Sequence, residues 1–190
     1  MIIFLGNGET HKLYDSIIKE SKSDNDIVVS CQYPYLVPES LLESHTCVNI
    51  HYGTLPFYAG CNPIYWQIMT SDRAGVTLHY MDKSFDGGDI IDIWECPIGI
   101  MTASELYKVL EWQGLQLLKK HYKGIVEGTA PRKPQDKAFR RYFHKSDIDF
   151  NKSKNVPYAL ANREVRANHF PGKQLPVVTI GGRKYELRSC

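Results

Sequence analysis

Residues 47–63 read CVNIHYGTLPFYAGCNP, and residues 75–91 read GVTLHYMDKSFDGGDII. In the first stretch apolar residues alternate with Asn49 and His51, which is the two-residue period of a β-strand. The amide and the imidazole are two residues apart, so both project from the same face of that strand. Asp86 follows the second apolar stretch, in a loop bounded by glycine. An amide, an imidazole and a carboxylate near strand ends predict an acyl-transfer site.

The two stretches resemble the core of the 10-formyltetrahydrofolate-dependent formyltransferases. The resemblance lies in separate blocks, which begin at Asn49 (NxH), Leu55 (LPxYxG), Gly75 (GVTxHxMD) and Asp86 (DxGDII). This family includes methionyl-tRNA formyltransferase, glycinamide ribonucleotide formyltransferase and the sugar N-formyltransferases. The blocks follow the order and spacing of the family across residues 47–91, and the resemblance extends more loosely to both ends.

The remaining apolar patterns predict an α/β fold, with a Rossmann-like, mostly parallel sheet flanked by helices. Apolar runs typical of buried strands occur at residues 2–5 and 26–31, residues 75–81 predict a further apolar strand, and residues 89–94 alternate enough to predict another. Periodicity, capping and chain breakers predict helices at residues 11–20, 38–44, 63–73 and 103–122. The resemblance implies two further strands between the first two runs, where about twenty residues leave room for a single crossover helix. We therefore expect a truncated formyltransferase fold.

The character of the chain changes at Thr129, where a basic, aromatic and proline-bearing segment begins. We expect a catalytic domain at residues 1–128 and a small C-terminal extension, residues 129–190, packed on it. In the extension, a short helix is predicted at residues 162–167, and VVTI and KYEL on either side of two glycines predict a β-hairpin. Its RAxxFP and GxKY sequences resemble the endings of the sugar-modifying formyltransferases.

Composition and charge argue against several classes of protein. The chain has 23 Lys and Arg against 21 Asp and Glu, a net charge of +2, so we expect no nucleic-acid partner. There is no membrane-length apolar run and no signal-peptide pattern at the N-terminus. The five scattered cysteines lack metal-ligand spacing, so no metal is expected. We expect a reduced, cytoplasmic protein without membrane association, and a homodimer because a shortened sheet leaves edges to cover.

The family resemblance implies that Asn49, His51 and Asp86 are the catalytic residues. Asn49 would hold the developing oxyanion, His51 would take the proton of the attacking amine, and Asp86 would orient and stabilise the imidazolium. The implied reaction is direct attack on the formyl carbon of 10-formyltetrahydrofolate through a tetrahedral intermediate, without a metal. Asp82 and Asp89 are rival carboxylates, but the family pattern falls on Asp86. Each residue alone is more typical of an ordinary strand or turn position, and only their joint spacing indicates a site.

The same resemblance implies the residues that contact the two substrates. Folate contacts are expected from an apolar loop that would clasp the pterin ring, and from the second polar strand and its end: Tyr35, Leu36 and Val37, with His79, Met81 and Asp82. Contacts to the amine substrate are expected from Tyr52, Thr54, Pro56, Tyr58, Phe139, Arg140 and Tyr142. Aromatic and basic side chains at residues 139–144 can stack on a base or meet a diphosphate, and a solvated loop remains the alternative.

Three amines compete as the formyl acceptor. The low net charge argues against a tRNA. After the first strand, GNG reads as a strand-to-helix turn, and the acidic Glu9 that follows is poorly placed for the phosphate of glycinamide ribonucleotide. A nucleotide-linked amino sugar, such as those of lipopolysaccharide O-antigen biosynthesis, fits best. The alternatives are another small amine such as glycinamide ribonucleotide, or a non-catalytic folate-binding relative.

Overall fold

The computed structural model describes residues 2–6, 27–148, 154–155, 158–171, 177–180 and 183–186. The strands are β1 Ile2–Gly6, β2 Ile27–Cys31, β3 Thr46–His51, β4 Ala59–Gly60, β5 Arg73–Tyr80, β6 Ile90–Pro97, β7 Tyr142–Phe143, β8 Lys154–Asn155, β9 Val177–Ile180 and β10 Arg183–Glu186. The α-helices are α1 Glu39–Ser44, α2 Pro63–Thr70, α3 Ala103–Val126 and α4 Tyr158–Ala167. Two single turns of 3-10 helix lie at Lys137–Phe139 and Lys145–Asp147.

The central sheet has five strands in the order β1-β2-β3-β5-β6. β1, β2 and β3 pair in parallel, whereas β5 runs antiparallel to both β3 and β6. β2 is buried along its whole length, which explains why its sequence is a continuous apolar run rather than an alternating one. The α/β class with a helix-flanked sheet is confirmed, and the sheet is mixed.

The C-terminal ends of two helices differ from the sequence prediction. α2 ends at Thr70 and not at residue 73, because the backbone of Ser71 is extended and Arg73 begins β5. α3 continues to Val126, beyond the predicted end at residue 122. The predicted capping box at its start is confirmed, since Thr102 and Glu105 bond each other's backbone N–H. The helix predicted at residues 11–20 lies outside the described residues.

The hydrophobic core lies between the central sheet and α3. Inward side chains of β3 and β5, such as Ile50 and Leu78, are completely or almost completely buried, as are Leu106, Leu110 and Leu118 of α3. Burying a side chain of this size stabilises the fold by roughly 1.5–3 kcal/mol each. The sheet is thus held rigidly from one side, and its strand ends provide fixed positions for polar side chains.

The C-terminal residues contact the rest of the molecule through α4, which packs on α2. Arg163 donates to the carbonyls of Ile68 and Ser71 at the end of α2, and buried Glu164 accepts a hydrogen bond from the Tyr65 hydroxyl. β9 and β10 form the predicted antiparallel hairpin, and β8 pairs with β9 in parallel. The predicted Gly-Gly turn lies outside the described residues. Among the described helices, none has both the length and the apolar character that a membrane span requires.

Candidate active site

Asn49 and His51 lie at the carboxyl end of β3, next to the turn that follows it. The antiparallel pairing of β3 with β5 places His79 directly opposite Asn49 and Thr77 opposite His51. The side chains of the first pair meet, with 3.2 Å between Asn49 Nδ2 and His79 Nε2. The strand pairing therefore fixes an amide and two imidazoles beside one another.

Asp86 completes this group from the loop between β5 and β6. Its Oδ1 accepts a hydrogen bond from Asn49 Nδ2 at 3.3 Å and lies 3.5 Å from His51 Nδ1. Its Oδ2 accepts a hydrogen bond from the Gly60 N–H at 2.8 Å. Asp86 has φ +49°, in the left-handed region that few residues other than glycine, Asn and Asp occupy. The three residues predicted to be catalytic are thus brought together.

The proton positions on the two histidines follow from their carbonyl partners, which can only accept. His79 Nδ1 lies 2.7 Å from the Tyr80 carbonyl oxygen, so Nδ1 carries the proton and Nε2 accepts from Asn49. His51 Nε2 lies 2.6 Å from the Tyr58 carbonyl oxygen, so its proton is on Nε2. A second proton on His51 would therefore sit on Nδ1, facing Asp86.

His79 is neutral at physiological pH. Its side chain is 2% exposed, and this burial lowers its pKa to about 4, although the Asp86 carboxylate acts in the opposite direction. The 3.7 Å between His79 Nε2 and Asp86 Oδ1 is therefore a close approach of two acceptors and not an ion pair. His79 serves here as an acceptor that holds the Asn49 amide.

Asp86 remains ionised despite its burial. Burial raises the pKa of the carboxyl, but His51 in its protonated form, the Gly60 N–H and the Arg140 guanidinium outweigh it, so the pKa lies below its usual value. His79 adds to this lowering only where it is protonated. Asp86 is therefore a carboxylate at neutral pH, placed to stabilise a cationic His51.

Both amide hydrogens of Asn49 are engaged, one by Asp86 and one by His79. The contact with Asp86, at 3.3 Å, is long for a hydrogen bond of this kind. Redirecting that N–H toward an incoming oxyanion would cost less than breaking a short hydrogen bond. The amide is thus oriented by its neighbours while retaining a donor that can be exchanged.

The residues predicted to contact folate occupy varied environments. Tyr35 and Leu36 are exposed, with 71% and 57% of their surface accessible, whereas Val37 is buried beneath them. They follow the carboxyl end of β2, which lies beside the carboxyl end of β3 in parallel pairing. Met81 donates its backbone N–H to Cys47, and exposed Asp82 accepts from the Ser84 N–H in a tight turn. His79 lies behind Asn49 and Asp86, as described above.

Two of the residues predicted to contact the amine substrate are held inside the protein. Tyr52 is 0% exposed and packs edge-on against Tyr107 in the core, so it presents no surface to a ligand. Thr54 is buried and donates to Gln67 Oε1. This burial argues against a direct contact from either side chain, because the chain turns into the core directly after His51.

The other five residues predicted to contact the substrate lie in the segment after α3 or in the loop between β3 and β4 that packs against it. Pro56 and Tyr58 meet the segment after α3, since the Arg141 N–H bonds to the Pro56 carbonyl and the ring of Tyr58 stacks on Phe143. Arg140 donates to the Phe85 carbonyl next to Asp86.

Aromatic rings are exposed beside the Asp86 loop. Phe139 packs against Phe57 at a ring-centroid distance of 6.1 Å, and Tyr142 packs against Phe85 at 6.3 Å. The three phenylalanines are all exposed. Exposed aromatic rings and the guanidinium of Arg140 therefore lie beside the Asp86 loop.

Several groups that shape the site escaped the sequence prediction. The Gly60 N–H and the Tyr58 carbonyl act through the backbone, so the identity of their side chains carries no signal for these contacts. Gln135 donates to the carbonyls of Asp86 and Gly88 from far along the chain, and nothing in its surrounding sequence marks it. Within the described parts of the chain, no group of three or more His, Cys, Asp or Glu side chains is arranged to hold a metal ion.

A polar group at the carboxyl end of a central strand lies where open α/β proteins bind their ligands. Comparison with known proteins identifies the family. A family model described as Formyl transferase matches residues 8–120, more than half of the chain. The chain therefore belongs to the formyl transferase family.

The curated relatives that match by sequence include several methionyl-tRNA formyltransferases. A methionyl-tRNA formyltransferase of Clostridioides difficile is 36% identical over 146 residues, which is 72% of this chain and 47% of that protein. The chain spans between about a third and a half of the length of such curated relatives.

Solved structures of sugar-modifying enzymes share the fold. WlaRD, a sugar 3N-formyl transferase crystallised in the presence of dTDP and 5-N-formyl-THF, has a TM-score of 0.81 at 21% identity, over 96% of this chain and 83% of WlaRD. An N-formyltransferase from Helicobacter canadensis, in complex with folinic acid and dTDP-3-aminofucose, has a TM-score of 0.76 at 23% identity. The match covers 95% of this chain and 83% of that protein's chain.

Proposed function

We propose that this protein transfers a formyl group from 10-formyltetrahydrofolate to the amine of a nucleotide-linked amino sugar. The observation that carries the proposal is the convergence of Asn49, His51 and Asp86, with Asp86 Oδ1 within 3.5 Å of polar nitrogen atoms of both other side chains. An amide donor, an imidazole and an ionised carboxylate are the groups that direct transfer of an acyl group to an amine requires.

In the proposed reaction the amine nitrogen attacks the formyl carbon, and the amine proton passes to His51. That proton is accepted at Nδ1, because Nε2 is occupied by the Tyr58 carbonyl. The resulting imidazolium faces the Asp86 carboxylate, which is kept ionised by its surroundings. Collapse of the tetrahedral species then breaks the bond from the formyl carbon to the nitrogen of the folate, and this nitrogen takes up the proton held by His51, so that tetrahydrofolate leaves as the neutral amine and His51 is again neutral.

Asn49 is proposed to stabilise the negative charge that develops on the formyl oxygen. One N–H of Asn49 Nδ2 points to Asp86 Oδ1, with 3.3 Å between the nitrogen and the oxygen, and this N–H is the donor that turns toward the formyl oxygen. His79 keeps the other N–H in place. Removing one such donor from other acyl-transfer sites costs roughly 10²- to 10³-fold in turnover. His79 would thus act as a support for Asn49.

The folate is proposed to bind along the carboxyl edge of β2 and β3, where ligands of open α/β sheets bind. The exposed Tyr35 and Leu36 provide apolar surface for its ring system, with Val37, Met81 and Asp82 nearby in the proposed site. As a co-substrate the folate supplies the formyl group, and the protein orients it.

Two observations support a nucleotide-linked amino sugar as the acceptor: the side chains exposed beside the Asp86 loop, and the solved structures that share the fold. Exposed aromatic rings at Phe57, Phe85 and Phe139 suit the stacking of a nucleotide base, and Arg140 suits a diphosphate. Structures of sugar N-formyltransferases share the fold over almost the whole chain. The relatives matched by sequence act on methionyl-tRNA, and a charged initiator tRNA is therefore the second candidate acceptor.

The experiment that tests the proposal is a formylation assay with 10-formyltetrahydrofolate and a panel of amines. The panel holds nucleotide-linked amino sugars, glycinamide ribonucleotide and charged initiator tRNA. We expect product with a sugar nucleotide alone. Product with a comparator alone would overturn the acceptor but retain the chemistry, and folate binding without any product would favour a non-catalytic relative.

We further propose that the protein is a cytoplasmic homodimer. Large apolar side chains are exposed away from the catalytic group at Ile100 and Trp112, with 91% and 56% of their surface accessible. Apolar surface of this kind is commonly covered by a second subunit. Sedimentation velocity at several protein concentrations tests the dimer, and a monomer throughout would contradict it.

A further inference from the structure

Gln135 lies in the segment after α3 and reaches the main chain of the Asp86 loop. Its Nε2 donates to the Asp86 carbonyl oxygen at 2.9 Å and to the Gly88 carbonyl oxygen at 2.7 Å. Both partners are pure acceptors, so the amide nitrogen and not the oxygen must face them. One side chain thus uses both of its N–H donors to hold two carbonyls of the loop.

The segment that carries Gln135 is itself anchored on both sides. Before it, Lys133 and Ile90 exchange backbone hydrogen bonds of 2.8 and 3.0 Å. After it, β7 pairs in parallel with β4, the strand that contains Gly60. We name residues 130–143 the strap. The strap therefore contacts Asp86 directly through Gln135 and indirectly through Gly60.

We propose that Gln135 is a positioning residue for catalysis, which fixes the main chain of Asp86 so that its carboxylate meets Asn49, His51 and Gly60 together. This inference rests on the proposed function. It extends the site to a residue that touches neither substrate nor the reacting atoms.

The physical reason lies in the backbone of Asp86. A left-handed conformation in a residue other than glycine persists only where its surroundings hold it. Without Gln135, the carbonyls of Asp86 and Gly88 lose a shared donor, and the peptide units are free to turn toward water. A displacement of about 1 Å at a catalytic group can cost roughly 10²-fold in rate.

The test compares Gln135→Met with Gln113→Met in the full chain. Gln135→Met keeps the length and the apolar stem of the side chain but removes both donors without adding charge. Gln113 lies on α3, outside the catalytic group, and receives the same substitution as a control. Three quantities are measured in each protein: kcat, the KM for the amine, and the pKa of Asp86 from ¹³C NMR of labelled aspartate carboxyls.

For Gln135→Met we expect kcat to fall by roughly ten- to a hundred-fold with little change in KM, and the Asp86 pKa to rise toward its usual value. The control should leave all three unchanged. The proposal is overturned by an unchanged kcat, or by a lower kcat with an unchanged Asp86 pKa. If Gln135→Met does not fold, Gln135→Asn, which is too short to reach both carbonyls, is measured in the same way.

The pKa measurement needs neither folate nor amine, so failure of the proposed function can be told apart from failure of this inference. If the wild-type protein transfers no formyl group but Gln135→Met raises the Asp86 pKa, the positioning of Asp86 by Gln135 stands and the proposed reaction falls. If the wild-type protein transfers the formyl group and the Asp86 pKa does not move, the inference alone falls.

Discussion

The Gly60 N–H donates to Asp86 Oδ2 over 2.8 Å and joins β4 to the loop between β5 and β6, although the whole of α2 and β5 lies between them in the sequence. The same carboxylate reaches Asn49 and His51 through its other oxygen. Gly60 adopts φ +90°, and a Cβ at this position would collide with the Phe143 carbonyl oxygen of the strap. The position of the carboxylate thus depends on a glycine that allows two backbone segments to approach closely.

The first prediction concerns this close approach. Gly60→Ala should lower the free energy of unfolding by roughly 2–4 kcal/mol, because it combines a strained φ with a backbone collision. Gly99 also has a positive φ, but an added Cβ meets nothing within 4 Å. Gly99→Ala should therefore cost only about 1 kcal/mol. Urea unfolding measures both, and equal losses would show that the collision is relieved elsewhere.

The second prediction concerns the charge of Asp86. Asp86→Asn keeps an oxygen for the Gly60 N–H but removes the negative charge that faces His51, so kcat for formyl transfer should fall roughly 10²- to 10⁴-fold. His51→Ala should cause a similar loss, and both variants should remain folded.

A matched control for Asp86→Asn is Asp92→Asn. Asp92 lies 2.7 Å from His121 Nε2 and bonds Lys120, in a second carboxylate–imidazole pair outside the site. Turnover of this variant should stay within about twofold of the wild type, as for changes remote from a site. Near-normal turnover in Asp86→Asn would remove Asp86 from the mechanism, and a large loss in Asp92→Asn would show that the loss in Asp86→Asn is not specific to the site.

The third prediction concerns stability in acid. The folded-state pKa of His79, about 4, lies below the unfolded value of roughly 6.5, so the unfolded chain binds more protons between these two values. The stabilising contribution is therefore complete above pH 6.5 and is lost as the pH falls to about 4. The loss should amount to roughly 3 kcal/mol.

Urea unfolding at steps from pH 7.5 to pH 4 measures this loss. His79→Gln should be less stable at neutral pH but should show a shallower dependence on pH. His144→Gln, at an exposed histidine, should keep the wild-type dependence. Parallel curves for the wild type and His79→Gln would assign the acid sensitivity to another group.

The fourth prediction concerns the attachment of α4. Arg163 donates to two carbonyls at the end of α2 and to the Asp72 carboxylate, so Arg163→Met should lower the free energy of unfolding by roughly 1–3 kcal/mol. Arg73, which is exposed and 4.0 Å from exposed Glu95, provides the control. Arg73→Met should change it by less than about 0.5 kcal/mol. Equal effects would mean that the carbonyls are solvated without cost.

The sequence predicts the half of the site that regular strands carry. The spacing of Asn49 and His51 indicates one strand face, and the strand pairing then brings His79 opposite Asn49. The start of α3 was equally predictable, because a capping box is a local pattern of hydroxyl and carboxylate.

The other half of the site depends on contacts that local patterns do not encode. Gly60 and Tyr58 contribute main-chain atoms, and Gln135 contributes a side chain 49 residues from Asp86. The burial of Tyr52 and Thr54 was missed for a related reason, since the strand period ends at His51 while the polar and aromatic sequence continues. Tertiary packing decides such positions, and a single sequence does not show it.

The candidate site has two parts that differ in how much sequence change they tolerate. One part lies on β3 and its paired neighbour β5, and the other lies in the segments around them. Asn49 and His79 are held between paired strands, where a shift of one residue would turn every side chain to the other face. The residues around Asp86 and most of the strap lie in loops and short turns, and such segments tolerate replacement and change of length outside the positions that hold the site. A search for variants with a new acceptor would therefore draw its useful mutations from the strap outside Gln135 and from residues 82–88 other than Asp86, while the paired strands β3 and β5 stay unaltered.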